Sequence, residues 1–389
     1  RARASLAALP CCFDDVRRRQ IDTSFGPRRW DVRHDDDGSG LTPGHLCEWG
    51  CAEWVGQSVG GCAFGVGEGV DGLEGKFEGR RRETERQASS AVGDGGVHAE
   101  IGEAVRSLLP DAEPVVSPPY ALGVEGVGVV EEAGGGFLAK RLVGKRVAVA
   151  SGPPHGTWQE ETLIDARRAF PVPKSLSDAQ ACSFFVNPLT ALVMVRNVLQ
   201  VPPGALLLQT AAGSALGQMV RNLAHEDGFR VVDVVRSRAG AERLRENGSK
   251  HVIAMEDEEL LESVHRIAPG GVDYVLDCVG GPTGSEALRA LAPSGRMVCY
   301  GTLSREPISL PPRDIMMPMT SVEGFYLSAY LTTRSLFQRI GLVRKTAKLI
   351  ASGVLGTPVE QTYALSDLHA ALEHARRPGR AGKILLDMT

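Results

Sequence analysis

A glycine-bearing turn, Ala211-Ala212-Gly213-Ser214-Ala215-Leu216-Gly217, separates a short apolar run at 205–208 from a stretch whose apolar residues recur at helical spacing. Those residues are Leu216, Met219, Val220, Leu223 and Ala224, with Arg221, Asn222, His225 and Glu226 on the other side. Such a turn offers unbonded backbone N–H groups at a helix N-terminus, and Gly213 and Gly217 remove the Cβ atoms that would hold a pyrophosphate away. Gly228 ends the helix, and 231–235 is a second apolar strand, which completes a right-handed βαβ unit. Nineteen residues beyond Gly217, where an acid would bind a ribose hydroxyl, the chain carries Arg236, followed by Ser237 and Arg238. A guanidinium pairs with a phosphate that a carboxylate would repel, so the unit is expected to take NADPH rather than NADH.

The rest of the sequence contains the elements that must hold this turn. The chain has 389 residues, enough for two or three domains. Its formal charge of −4 argues against nucleic acid or an anionic membrane as the main partner. The longest apolar stretch, 184–195, is broken by Asn187 and Pro188 and is too short to span a bilayer. Cys182, Cys278 and Cys299 stand singly in apolar surroundings, as reduced buried thiols would, which implies a reducing compartment. The first residue is Arg1, so no targeting peptide can be read or excluded.

Residues 1–114 differ from the remainder. They carry charge runs (Arg17-Arg18-Arg19, Asp35-Asp36-Asp37, Arg80-Arg81-Arg82) and nine glycines between positions 56 and 79, with no recognisable strand and one helical candidate at 97–109. His45, Cys47, Cys51 and Cys62 match no common zinc-ligand spacing. This third is expected to be irregular, a divergent segment or the product of a wrong reading frame. From Tyr120 onward, three β-rich runs separated by glycines suggest a small antiparallel barrel, followed by helices at 178–184 and 188–199. After Arg236, strands at 251–254, 272–279 and 296–301 alternate with helices at 241–247, 257–267 and 284–291. That alternation specifies an α/β fold with a doubly wound parallel sheet. A strand at 321–327, a helix at 334–352 and a strand at 382–387 close the chain.

These residues resemble the medium-chain dehydrogenase/reductase superfamily, and within it the zinc-free 2-enoyl thioester reductases related to quinone oxidoreductases. The resemblance runs from Pro118 to the C-terminus. It rests on Gly123-Val124-Glu125-Gly126, Gly156-Thr157-Trp158, the segment from Val186 through Asn187 and Pro188 to Ala191, the long glycine turn, the Arg236 strand end, and Gly324-Phe325-Tyr326-Leu327-Ser328. It implies a Rossmann domain at 186–325 and an incomplete GroES-like β-barrel from 115–185 and 326–389. It further implies that Asn187 touches the nicotinamide end of NADPH, that Gly213, Ser214, Ala215, Leu216 and Gly217 meet the pyrophosphate, and that Arg236, Ser237 and Arg238 hold the 2′-phosphate. Tyr300, Gly301, Thr302, Leu303, Phe325, Tyr326, Leu327 and Lys383 would flank the rest of the cofactor, and Trp158 the substrate cleft or the barrel core. No catalytic metal is expected, because the turn reads Gly-Val-Glu-Gly where zinc-dependent relatives place a histidine, and no four-cysteine lobe follows.

The implied reaction is reduction of a trans-2-enoyl thioester, carried on coenzyme A or acyl carrier protein. Quinone or 2-alkenal reduction, or NADPH binding without turnover, are the alternatives. An ungapped alignment from Glu125 puts Ala112 where the family has its tyrosine proton donor, so the catalytic residue stays unassigned; Tyr120, the only tyrosine before Tyr274 but at the wrong offset, is a weak candidate. The superfamily also implies a homodimer joined near 321–327.

Overall fold

The computed structural model describes residues 2–8, 122–151, 156–377, 379–380 and 382–388. Thirteen strands among them form two sheets: β1 (Ala2–Ala8), β2 (Glu125–Val130), β3 (Arg146–Ala150), β4 (Glu161–Thr162), β5 (Ala169–Pro171), β6 (Leu206–Gln209), β7 (Arg230–Val235), β8 (His251–Ala254), β9 (Val272–Asp277), β10 (Leu291–Cys299), β11 (Ser321–Gly324), β12 (Val359–Ala364) and β13 (Lys383–Asp387).

The second sheet is parallel, in the order β11-β10-β9-β6-β7-β8. It is the doubly wound Rossmann order, with its switch point between β6 and β9. Its central strands β6 and β7 are near-continuous apolar runs because both faces are covered. Leu207, Leu276 and Val298 pack on one face with Leu189, Leu192, Met219 and Leu223. Leu206, Leu208, Val232, Val234 and Met297 pack on the other. The covering helices are α1 (Ala215–Asp227), α2 (Arg238–Glu246), α3 (Leu260–Ile267) and α4 (Gly281–Arg289). They are followed along the chain by α5 (Leu336–Ala351) and α6 (Leu368–Arg376).

The first sheet corrects the reading of the N-terminal third. Residues Ala2–Ala8, where the pattern indicated no strand, form β1, antiparallel to β13 (Leu6↔Asp387), β2 (Ala2↔Val130) and β4 (Ala2↔Thr162). A seven-residue strand of mostly small side chains has little alternation to detect, and its partners lie more than a hundred residues away, so nothing local announces it. The sheet runs β12-β13-β1-β2-β3-β5, with β12 and β13 parallel and returning from the C-terminus. The helix read at 97–109 and Tyr120 lie outside the described residues, as does all of 9–121.

Other differences are of extent. The helix read at 188–199 begins earlier, with a π-helical turn at Phe185–Leu189 that Pro188 requires, since proline donates no N–H to an α-helical ladder. The strand read at 321–327 stops at Gly324, and a short helix starts at Leu327. The third β-rich run of the barrel shrinks to the two residues of β4. No helix among the described residues is long and apolar enough to cross a membrane.

Candidate functional site

In a parallel sheet all strands point one way, so the loops after β6, β7, β9, β10 and β11 open on the same edge. The structure thereby brings together the glycine turn, Arg236 and Ser237, the 300–303 loop and Phe325. Hydrogen bonds tie these loops to one another. Thr210 Oγ1 donates to the fully buried Asp277 carboxylate at 2.7 Å and accepts from the Cys278 backbone N–H at 3.0 Å. Leu303 N–H donates to Cys278 O at 3.0 Å, Tyr300 N–H to Asp277 O at 2.8 Å and Phe325 N–H to Cys299 O at 2.8 Å. Gly301 must be glycine, because a Cβ there would lie 2.8 Å from the Cys278 Cβ.

Ser214 caps α1, its hydroxyl accepting from Gly217 N–H at 3.1 Å. The two glycines of the turn do different work. A Cβ on Gly217 would collide with the carbonyl of Ala212, so this glycine serves the close packing of turn on helix rather than a ligand, which corrects the role read from sequence. A Cβ on Gly213 would meet only Val235 Cγ1 at 4.0 Å, so the space it leaves clear lies on the open side, where a phosphate would sit. Ala211, the first residue of the turn, takes a left-handed backbone, φ +48°.

The two arginines separate. Arg236 is exposed, and its guanidinium has no hydrogen-bond or ion-pair partner among the described residues. With Ser237, Met255 and Glu256 it lines a hollow of about 320 Å³. Arg238, expected on the 2′-phosphate, is instead held by Asp257 through two bonds, at 2.6 and 2.9 Å, which lower the carboxyl's pKa and raise that of the guanidinium. An acid nineteen residues downstream in sequence gave no local sign of this pairing. Ser237 spends its hydroxyl on capping α2, accepting from Gly240 N–H at 3.2 Å.

Lys383 is likewise not where the sequence put it. It is 3% exposed, and its ammonium donates to Glu125 Oε1 at 2.8 Å. The same carboxylate, through Oε2, accepts from the backbone N–H groups of Phe185 (3.2 Å) and Val186 (2.9 Å), the residues just before the buried Asn187. Glu125, quoted above only as a motif residue, is thus the hub that joins β2, β13 and the Asn187 turn. That turn packs in turn against α1.

Trp158 is half-buried and, like Tyr363, Leu368 and Leu372, packs against the cluster around Ile384 and Leu386. Phe325 is half-buried against the main core, with its ring centroid 5.8 Å from that of Tyr330, while Tyr326 is 72% exposed. Among the described residues no group of three or more His, Cys, Asp or Glu is placed to hold a metal ion. Burial pushes the Cys182 thiol up to about 12, and burial followed by the Asp277 charge pushes Cys299 up to about 11.

Comparison with known proteins agrees with this geometry. Residues 215–341 match a family model described as zinc-binding dehydrogenase. The chain is 29% identical over 310 residues to the mitochondrial enoyl-[acyl-carrier-protein] reductase of Bos taurus, covering 76% of this chain and 82% of that one. It is 30% identical over 279 residues to the Xenopus tropicalis protein of the same name, covering 69% and 79%. The crystal structure of Escherichia coli quinone oxidoreductase complexed with NADPH superposes with a TM-score of 0.65 at 27% identity, covering 73% of this chain and 86% of that one. With its Rossmann sheet, its barrel strands drawn from both ends of the chain and these relatives, the chain belongs to the medium-chain dehydrogenase/reductase superfamily, in the zinc-free branch of enoyl reductases and quinone oxidoreductases.

Proposed function

We propose that this protein is an NADPH-dependent oxidoreductase that reduces an activated C=C bond, with a trans-2-enoyl thioester on coenzyme A or acyl carrier protein as substrate. The observation that carries the cofactor assignment is the guanidinium of Arg236, without a partner among the described residues, beside a hollow at the tip of β7 and one strand from an open glycine turn. The residues present fit the group: the turn would hold the pyrophosphate, Arg236 and Ser237 the 2′-phosphate, and Asn187 the nicotinamide end. Tyr300, Thr302, Leu303 and Phe325 would flank the cleft. When bound, NADPH supplies the hydride that reduces the β-carbon of the alkene, and a proton then completes the α-carbon. Glu125, paired with Lys383, fixes the Asn187 turn through the Phe185 and Val186 N–H groups. Tyr120 is the candidate proton donor the sequence offers. The substrate class rests on the two enoyl-[acyl-carrier-protein] reductase relatives.

The resemblance to a quinone oxidoreductase favours a second reading, NADPH:quinone reduction. A steady-state screen of enoyl thioesters, 2-alkenals and quinones with NADPH and NADH separates them. Enoyl thioesters should support NADPH oxidation far better than quinones, and a preference for quinones would replace the first reading with the second. NADPH binding without turnover on any of them would make the protein a binding protein.

The protein is also proposed to dimerise through β11. The outer edge of that strand has no partner strand among the described residues, and Met316, Met317 and Met319 beside it are each more than 60% exposed. A monomer mass by light scattering at micromolar concentration would exclude this assembly.

A further inference from the structure

On the protein side of the glycine turn lies a buried polar cluster that the binding reading does not use. Arg221, in the second turn of α1, sends its guanidinium back toward the helix N-terminus, the direction in which helical side chains lean. There Nη1 donates to the carbonyl of Ala212 at 2.7 Å and lies 3.3 Å from Asp233 Oδ1, while Nη2 donates to Gln218 Oε1 at 2.9 Å. Asp233, in the middle of β7 and 1% exposed, also accepts from Gln209 Nε2 at 2.6 Å. That amide donates in addition to the carbonyl of Gly217 at 3.1 Å. One guanidinium and one carboxamide therefore grip carbonyls at both ends of the turn, and a single buried carboxylate orients both.

The consequence follows from the planarity of the peptide bond. In a trans peptide the C=O and the next N–H point in opposite directions. Drawing the Ala212 carbonyl inward onto Arg221 must turn the N–H of Gly213 outward, and that N–H donates to no group among the described residues. Neighbouring amides are already committed, Ala212 N–H to Val234 O at 3.0 Å and Ser214 N–H to Ala211 O at 3.0 Å. Gly213, like Ala215 and Leu216 in the first turn of α1, thus keeps an N–H for a ligand, and at Gly213 no Cβ shields it.

We propose that Arg221, held by Asp233, is a positioning residue that aims the Gly213 N–H at the pyrophosphate of the dinucleotide and sets a positive charge directly behind it. The assignment rests on the NADPH reading above. It predicts a selective defect: contacts to the pyrophosphate weaken, whereas contacts to the 2′-phosphate at Arg236 do not.

The test compares Arg221→Met, Arg221→Lys and Asp233→Asn with the unaltered full-length protein, by titration with NADPH and with 2′-AMP, which carries the 2′-phosphate but no pyrophosphate. Arg221→Met should weaken NADPH about tenfold or more, with KM raised and kcat held within about twofold, while 2′-AMP affinity stays unchanged. Arg221→Lys keeps the charge and one donor, so its loss should be intermediate. Asp233→Asn should follow Arg221→Met in direction. Equal losses for NADPH and 2′-AMP would show a merely structural role and overturn the proposal, as would unchanged NADPH binding in the Met variant. Should that variant not fold, an unchanged NADPH affinity in Arg221→Lys overturns it equally. Failure of the unaltered protein to bind NADPH at all would instead overturn the cofactor assignment, and the proposal with it.

Discussion

The two sheets of this molecule bury charge in different ways. In the parallel sheet the buried acids, Asp233 inside β7 and Asp277 at the end of β9, are satisfied by groups from the neighbouring helix and strand, such as Arg221, Gln209 and Thr210. In the barrel sheet a complete ion pair lies in the interior and joins Glu125 to Lys383, residues 258 positions apart. The first arrangement builds a ligand site from successive loops of one nucleotide-binding unit. The second clasps the beginning of the barrel to its last strand and, through two backbone amides, to the turn that carries Asn187. On the proposed reading, cofactor recognition is local in the sequence, whereas the turn that carries Asn187 is held by contacts drawn from distant parts of the chain.

Breaking the clasp should give the largest effect. Lys383→Met leaves the Glu125 carboxylate buried without its cation, a change that costs about 3 to 5 kcal/mol. It should appear as a fall in the urea midpoint, and pairing it with Glu125→Gln should recover most of the loss. A loss below about 1 kcal/mol in the single variant would mean that the two amides alone satisfy the carboxylate, and that the barrel needs no clasp.

Next in size is the division of labour between the two arginines at the nucleotide end. Arg236→Asp should weaken NADPH by about 1.5 to 3 kcal/mol and NADH much less, because it replaces a charge-assisted pair by a repulsion. Arg238→Ala should leave the NADPH to NADH ratio unchanged, since Asp257 already occupies that guanidinium. Equal cofactor losses at position 236, or a shifted ratio at 238, would exchange their roles. Isothermal titration with both nucleotides reads either outcome.

The same contrast explains what could be read from the sequence. The strand, turn and helix from 205 to 227 are legible because an apolar run, a glycine turn and a period of 3.6 lie side by side, and Ser214 announces the cap. Arg236 is legible because its meaning comes from its distance to Gly217. The fate of Arg238 and Lys383 was not, because Asp257 and Glu125 claim them across loops or across the fold, and no spacing rule records that competition. β1 escaped for a related reason. Its residues carry no period, and only pairing with β2, β4 and β13 makes them a strand. The π-helical start at Phe185 could have been suspected from Pro188, which a regular helix would not accommodate in that position.

The cysteines sharpen the comparison through pH. Cys182 packs between Val127 of the barrel sheet and Leu385 of β13, and burial raises its thiol to about 12, above the value near 8.5 of an unfolded thiol. The folded protein therefore keeps a proton that the unfolded chain releases. Stability from this group is complete below about pH 8 and is lost as pH rises towards 12, by up to about 1.4 kcal/mol per pH unit. Cys299, raised to about 11, adds a loss of the same sign over a narrower range. Urea midpoints between pH 8 and 10.5 should fall for the unaltered protein and fall less steeply for Cys182→Ala. Parallel slopes would place the alkaline sensitivity outside the barrel core.

The smallest effect should come from the turn itself. Ala211 holds φ +48°, a backbone that disfavours any residue with a Cβ by about 1 kcal/mol or more. Replacement by glycine removes that strain but frees the unfolded chain, a loss of about 0.4 to 1 kcal/mol. The two terms nearly cancel, so Ala211→Gly should stabilise the protein by no more than about 1 kcal/mol, seen as a small rise in thermal midpoint. NADPH affinity should change by less than about twofold, because Arg221 and Gln209, not residue 211, hold the carbonyls that orient the turn. A large loss of affinity with stability preserved would show that the alanine at position 211 shapes the cradle, and that the strain there belongs to binding.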